Sequence, residues 1–178
     1  MDDMDNQKTP SSKKRFIPNA ITLMNFALGF FSLFLTMEGL FREAAYAIFG
    51  AMAMDGLDGR LARRFNTVSE FGKELDSLSD LVSFGVAPAL LAYTVNLFHF
   101  GRVGQIIAMV FALCGAFRLA RFNVLNVETH FVGVPITICG PVLTFVLLFS
   151  NSIDYRIYPV VVLLLWFLMV CSWRIPKV

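Results

Sequence analysis

The sequence is poor in cysteine and has almost no net charge. Its three cysteines, Cys114, Cys139 and Cys171, lie far apart in separate apolar stretches, so no CxxC pair indicates a zinc knuckle or a disulfide framework. The 15 lysines and arginines are nearly balanced by 13 aspartates and glutamates, and a charge of +2 is too small to indicate a nucleic acid as partner. Cysteine-based metal binding and nucleic-acid binding are therefore not expected.

Charged residues of either sign are also scarce, whereas apolar residues dominate. Charged residues make up 16% of the chain and hydrophobic residues 57%, and the mean hydropathy is +0.67. A soluble domain with an oversized core rarely has such a composition, and several apolar windows are longer than a buried core helix. The sequence therefore predicts an integral membrane protein of the all-α class.

Hydropathy predicts six transmembrane helices. They cover about residues 19–37, 42–64, 69–97, 103–119, 132–150 and 157–173. Residues 1–15 are polar and include proline and serine, so we expect a disordered cytoplasmic tail there. A single six-helix transmembrane domain is expected over residues 16–178.

Lysine and arginine predict the orientation of these helices, because cytoplasmic segments of membrane proteins carry more of them. With the N-terminus in the cytoplasm, twelve of the 15 fall on the cytoplasmic side, and only Arg42, Arg102 and Arg156 fall on the far side. We therefore expect a multi-pass protein of the cell membrane with both termini in the cytoplasm. The segment between the second and third helices is then cytoplasmic as well.

Four aspartates stand close together where the second predicted helix ends and the third begins. Asp55 and Asp58 are three residues apart, and Asp76 and Asp80 are four apart, so each pair shares one face of its helix. Ser69 is the predicted N-cap of the later helix. Two adjacent helices are thereby predicted to direct two carboxylates each into one space.

Four anions near a membrane require a cation among them. One alternative is an ion-pair network with Arg60, Arg63, Arg64 and Lys73, although the three arginines cannot all face the aspartates. Carboxylates without histidine or cysteine favour Mg²⁺ first and Mn²⁺ or Ca²⁺ less, and two ions would offset most of their charge. A metal so placed typically stabilises charge during phosphoryl transfer. A cation transporter is another alternative, but it would carry acids along several helices.

Eight residues at fixed spacing form a recognisable pattern. They are Asp55-x2-Asp58-Gly59-x2-Ala62-Arg63-x8-Gly72-x3-Asp76-x3-Asp80. The pattern resembles the signature of the CDP-alcohol phosphotransferase family at every defined position. The resemblance implies a six-helix membrane enzyme, usually a homodimer, with a dinuclear Mg²⁺ or Mn²⁺ site that opens to the cytoplasm. It also implies that an alcohol attacks the phosphate next to the lipid of a CDP-linked substrate and expels CMP.

The resemblance also implies roles for individual residues. Asp55, Asp58 and Asp76 are expected to be metal ligands, and Asp80 is expected to be both a ligand and the general base. The residues expected to bind the CDP-lipid are Asn19, Thr22, Asp58, Gly59, Ala62, Arg63 and Gly72. In the first helix, Asn19 and Thr22 lie on the same helical face as Asn25. The alternative to substrate binding for such polar residues is hydrogen bonding to neighbouring helices.

Longer stretches, among them PNAITLMNFALGF, CGAFRLARFNV and FVGVPI, are similar to the prokaryotic-type phosphatidylserine synthases, a branch of this family. The similarity implies transfer of a phosphatidyl group from CDP-diacylglycerol to L-serine. Arg118, Arg121 and Asn123 are then expected to recognise the serine carboxylate or a phosphate, and membrane anchoring is the alternative for the two arginines. Another alcohol, such as glycerol 3-phosphate or an inositol phosphate, is the alternative acceptor.

Overall fold

Seven α-helices lie in the part of the chain that this computed structural model describes, which is residues 12–65, 69–125, 130–150, 152–171 and 174–176. At residues 12–17, 62, 65, 125, 130–132 and 174–176 the backbone alone is described. The helices are α1 (Ser12–Met37), α2 (Phe41–Phe65), α3 (Glu70–Asp80), α4 (Ala87–Val95), α5 (Arg102–Leu125), α6 (Ile136–Leu148) and α7 (Tyr158–Val170).

Two of these helices belong to one span. A π-helical turn, Leu81–Val86, joins α3 to α4 into one continuous helical segment. The seven described α-helices therefore form six helical segments. Three segments, Pro18–Met37, Glu70–Val95 and Arg102–Val124, are long and apolar enough to cross a membrane by length and composition. α6 and α7 are apolar but shorter, and α2 carries the charged residues of the aspartate segment. The predicted all-helical membrane protein with six helices is confirmed.

The first helix is longer than predicted and has two contrasting faces. α1 begins at Ser12, so residues 12–15, which we expected in the disordered tail, continue the helix, while residues 1–11 lie outside the described part. Small and polar residues recur every three or four positions on its buried face: Thr22, Asn25, Gly29, Ser32 and Thr36. Exposed phenylalanines lie on the other side, as is suitable for contact with lipid: Phe26, Phe30, Phe31 and Phe34.

The fifth predicted span begins later than expected. Pro135 precedes α6, and Gly133 has a φ of 75°, so the backbone turns before the helix starts. Residues His130–Val132 pair instead as a short antiparallel strand, β1, with the strand β2 at Arg174–Pro176. This two-stranded ribbon was not predicted, because a three-residue strand has too little periodicity to be recognised.

The apolar core lies where α2, α4, α5, α6 and α7 meet. Its largest buried side chains include Ile48 of α2, Phe84 of the π turn and Phe111 of α5. Gly140 of α6 packs directly against the backbone of Phe84, and any side chain at that position would collide with it. Close packing around the π turn therefore fixes the end of α3, where two of the four aspartates are located.

Candidate active site

The aspartates come from the C-terminal half of α2 and from α3. Ser69 caps α3 as predicted, because its side chain accepts a hydrogen bond from the backbone N–H of Gly72 at 3.1 Å. This cap fixes where α3 begins and therefore which face of the helix carries Asp76 and Asp80. Asp80 is the last residue of α3 and is 5% exposed.

Three of the four carboxylates form a tight cluster. Asp55, Asp76 and Asp80 each offer an oxygen, and these three atoms all lie within 4.8 Å of one another. One buried oxygen of Asp76 has no hydrogen-bond partner among the described residues. The predicted convergence of α2 and α3 on one space is therefore present for these three carboxylates.

Asp58 stands slightly apart from this cluster. Its Oδ2 accepts a hydrogen bond of 2.7 Å from Thr22 Oγ1 of α1. Its charge still acts on Asp55, Asp76 and Asp80. The sequence predicts that all four carboxylates face one space, whereas in the structure Asp58 accepts a hydrogen bond from α1 and the other three face one another.

The ion-pair network considered for these aspartates is not present among the described residues. The described ion pair is between Lys73 and Glu70, at 3.8 Å, and it involves none of the four. Arg63 and Arg64 at the end of α2 are exposed. Arg118 of α5 interacts electrostatically with Asp80, but one cation cannot balance four carboxylates.

A cleft of about 220 Å³ opens beside the cluster. Its lining comes from α1, α2 and the start of α3 and comprises Pro18, Asn19, Thr22, Asp58, Gly59, Arg63, Ser69, Gly72, Lys73 and Asp76. Six of the seven residues expected to bind the CDP-lipid are in this lining. The seventh, Ala62, lies on α2, and its side chain is outside the described part.

The two glycines of the cleft have different surroundings. A Cβ at Gly72 would lie 3.1 Å from Ser69 Oγ and 3.4 Å from Asn19 Oδ1, so glycine allows α1 to approach α3 closely. A Cβ at Gly59 would meet only the guanidinium of Arg63, at 3.9 Å, so this position borders open space. Gly59 therefore leaves room for a ligand, and Gly72 for the packing of the cleft wall.

The three residues expected to recognise serine or phosphate lie on α5 and outside the lining of the cleft. Arg118 is half-buried, and its Nε has no hydrogen-bond partner among the described residues. Asn123 donates to Ser77 Oγ at 3.0 Å and to Glu74 Oε1 at 3.4 Å, so it ties α5 to α3. Arg121 is half-buried on the same helix. Arg118 also interacts electrostatically with Asp80 of the cluster.

The sequence predicts that Asn25 shares one face of α1 with Asn19 and Thr22, but it does not predict the contact of Asn25 with the cluster. Its Nδ2 donates to Asp80 Oδ1 at 3.3 Å, and the side chain is fully buried. The available signal was its spacing of three residues from Thr22, which places both on one helical face. The sequence does not reveal which carboxylate each residue meets, because that depends on how α1 docks.

Comparison with known proteins identifies the family. The family model described as CDP-alcohol phosphatidyltransferase matches residues 15–174. The chain is 35% identical over 177 residues to a CDP-diacylglycerol–serine O-phosphatidyltransferase of Helicobacter pylori, covering 94% of this chain and 75% of that protein. It is 40% identical over 161 residues to the protein of the same name from Methanocaldococcus jannaschii, covering 90% and 74%.

A third relative carries a different name. It is the archaetidylserine synthase of Methanothermobacter thermautotrophicus, which is 36% identical over 127 residues, covering 70% of this chain and 54% of that protein. The family match covers nearly all of the chain, including every residue of the aspartate pattern. The chain therefore belongs to the CDP-alcohol phosphatidyltransferase family.

Proposed function

We propose that this protein transfers a phosphatidyl group from CDP-diacylglycerol to the hydroxyl of L-serine, giving phosphatidylserine and CMP. The observation that carries the proposal is the cluster of Asp55, Asp76 and Asp80 beside a cleft lined by four of the five other residues of the family pattern. Serine as the acceptor is supported by the relatives, whose names differ in the lipid but share serine.

The carboxylate cluster suits a divalent cation. Its three oxygens lie within 4.8 Å of one another, and the unpartnered buried oxygen of Asp76 needs a positive partner. Carboxylates are the ligands that Mg²⁺ and Mn²⁺ prefer, so Asp55, Asp76 and Asp80 would hold the metal, with Asp58 as a further ligand if two ions bind. When bound, the metal supplies positive charge that stabilises the reacting phosphate oxygens.

The cleft is proposed to hold the cytidine diphosphate part of the substrate. Arg63 and Lys73 line it and carry positive charge suitable for phosphate oxygens. Gly59 leaves space beside the α2 backbone, and Thr22 holds Asp58 in place at the wall. The lipid chains would then extend toward the membrane, since the spans that flank the cleft are apolar.

Asp80 is proposed as the general base. It is buried next to the end of the cleft, and its carboxylate can accept the proton of the serine hydroxyl. The serine oxygen forms a bond to the phosphorus next to the lipid, and the bond from that phosphorus to the bridging oxygen breaks. CMP leaves with the electron pair of that bond, and the proton passes from Asp80 to solvent.

Arg118 is proposed to bind the carboxylate of serine. Its Nε has no hydrogen-bond partner among the described residues, although the side chain is half-buried and near Asp80. A guanidinium suits a carboxylate better than an uncharged hydroxyl. Asn123 and Arg121 would support this region of α5, Asn123 through its bonds to α3.

The same proposal includes the location and assembly of the enzyme. We propose that it lies in the cell membrane as a homodimer, with both termini and the cleft facing the cytoplasm. The excess of lysine and arginine on that side supports the orientation. Labelling of single cysteines introduced at Arg102 and Lys73 with an impermeant reagent tests it, because only the former should react in intact cells.

Release of CMP from CDP-diacylglycerol by the purified protein tests the function. With labelled serine and Mn²⁺ or Mg²⁺, we expect CMP and labelled phosphatidylserine in equal amounts. Chelation with EDTA should stop both, and added Mn²⁺ should restore them. Release of CMP with glycerol 3-phosphate or an inositol phosphate, but not with serine, would overturn the acceptor. Asp154→Asn is the control and should keep full activity, because Asp154 is exposed and lies far from the cluster in sequence.

A further inference from the structure

Asn25 connects α1 to the carboxylate cluster. The residue is completely buried in the middle of α1, and its Nδ2 donates to Asp80 Oδ1 at 3.3 Å. Its own Oδ1 has no hydrogen-bond partner among the described residues. A buried amide with an unsatisfied oxygen is costly, so filling space does not by itself explain an asparagine at this point.

The backbone of Asn25 is itself held in place. Ser83, in the π turn that follows Asp80, donates its hydroxyl to the carbonyl oxygen of Asn25 at 3.0 Å. Gly29, one turn further along α1, lies so close to Ser83 that any side chain there would collide with it. Ser83 of the π turn therefore contacts α1 at two points, the carbonyl of Asn25 and Gly29.

These contacts matter because electrostatic repulsion acts on the Asp80 carboxylate. Asp55, Asp58 and Asp76 all repel its charge. Repulsion would rotate Asp80 away from the cluster unless a donor held one of its oxygens. Asn25 is a neutral donor to Asp80, and it leaves the other oxygen of the carboxylate available.

We propose that Asn25 is a positioning residue that orients Asp80 for binding of the divalent cation. This inference rests on the proposed function, since it assumes that the cluster binds a metal. Residues that hold a metal ligand from behind typically change metal affinity or activity by about 10- to 100-fold when they are lost. Asn25 acts through Asp80, and Ser83 acts through Asn25.

Three variants of the full chain test the proposal in detergent. Asn25→Leu keeps the branched shape of the side chain and removes the donor. Ser83→Ala removes only the hydroxyl that holds the Asn25 carbonyl. Thr36→Val is the matched control, because Thr36 is also buried on the same face of α1 but donates to the carbonyl of Ser32. Mn²⁺ alone is titrated without substrates, and free Mn²⁺ is measured by electron paramagnetic resonance.

We expect Asn25→Leu to weaken Mn²⁺ binding by about 10- to 100-fold. Ser83→Ala should weaken it less but in the same direction, and Thr36→Val should stay within about twofold of the wild type, since the mechanism assigns it no role. In the transfer reaction, the Mn²⁺ concentration for half-maximal rate should rise for Asn25→Leu, whereas the KM for CDP-diacylglycerol at saturating Mn²⁺ should change little.

Equal Mn²⁺ affinity in Asn25→Leu and the wild type would overturn the proposal, and so would an equal loss in Thr36→Val. If Asn25→Leu does not fold, Ser83→Ala decides, and unchanged affinity in that variant overturns the proposal. A wild-type protein that binds no Mn²⁺ would instead refute the metal centre of the proposed function. The two failures are therefore distinguishable.

Discussion

The hydrogen bond from Thr22 to Asp58 offers the sharpest test of how α1 contributes to the site. Both residues are buried, at 4% and 5% exposure, and the bond is 2.7 Å long. Thr22→Val keeps the shape of the side chain and removes the donor. A hydrogen bond to a charged group contributes about 1.5–3 kcal/mol. At about 1.4 kcal/mol for each factor of ten, this predicts a loss of about 10- to 150-fold in kcat/KM.

The assay is release of CMP from CDP-diacylglycerol at saturating serine and Mn²⁺. Thr22→Ser should retain most activity, because a serine hydroxyl can make the same bond. Thr144→Val controls for loss of a buried threonine hydroxyl elsewhere, since Thr144 donates to the carbonyl of Gly140 in α6. A kcat/KM of Thr22→Val within about twofold of the wild type would refute the reasoning. So would an equal loss in Thr144→Val.

Three further predictions concern the base, the cleft and the acceptor. Asp80→Asn should lower kcat by about 10²- to 10⁴-fold while binding of CDP-diacylglycerol is retained, and a near-normal kcat would contradict its role as base. Gly59→Leu should raise the KM for CDP-diacylglycerol at least tenfold, whereas Gly59→Ala, for which there is room, should not; equal KM values would show that the cleft does not bind the cytidine diphosphate part of the substrate. Arg118→Gln should raise the KM for serine about tenfold or more and leave the KM for CDP-diacylglycerol unchanged, which steady-state kinetics with each substrate varied will check.

Much of the fold could be predicted from the sequence, because its signals are local. The spans follow from hydropathy, and the cap at Ser69 follows from a residue preference that depends on its own turn of helix. The helical period correctly places Asp76 and Asp80 on one face of α3. These features need no knowledge of how one helix docks on another.

The details of the site could not be predicted, because they depend on docking between helices. The approach of α1 separates Asp58 from the other carboxylates and brings Asn25 to Asp80. The π turn after Asp80 has no sequence signal that distinguishes it from ordinary α-helix. Asn123 has a side chain suited to binding serine, yet its donors are bonded to α3. Residue type alone predicts none of these partners.

Anomalous diffraction from crystals grown with Mn²⁺ and CDP-diacylglycerol is the most direct test of the carboxylate site. We predict a manganese peak bounded by Asp55, Asp76 and Asp80, with the diphosphate of the substrate in contact with it. A manganese peak elsewhere, with none between these three carboxylates and with the diphosphate outside the cleft, would contradict the account.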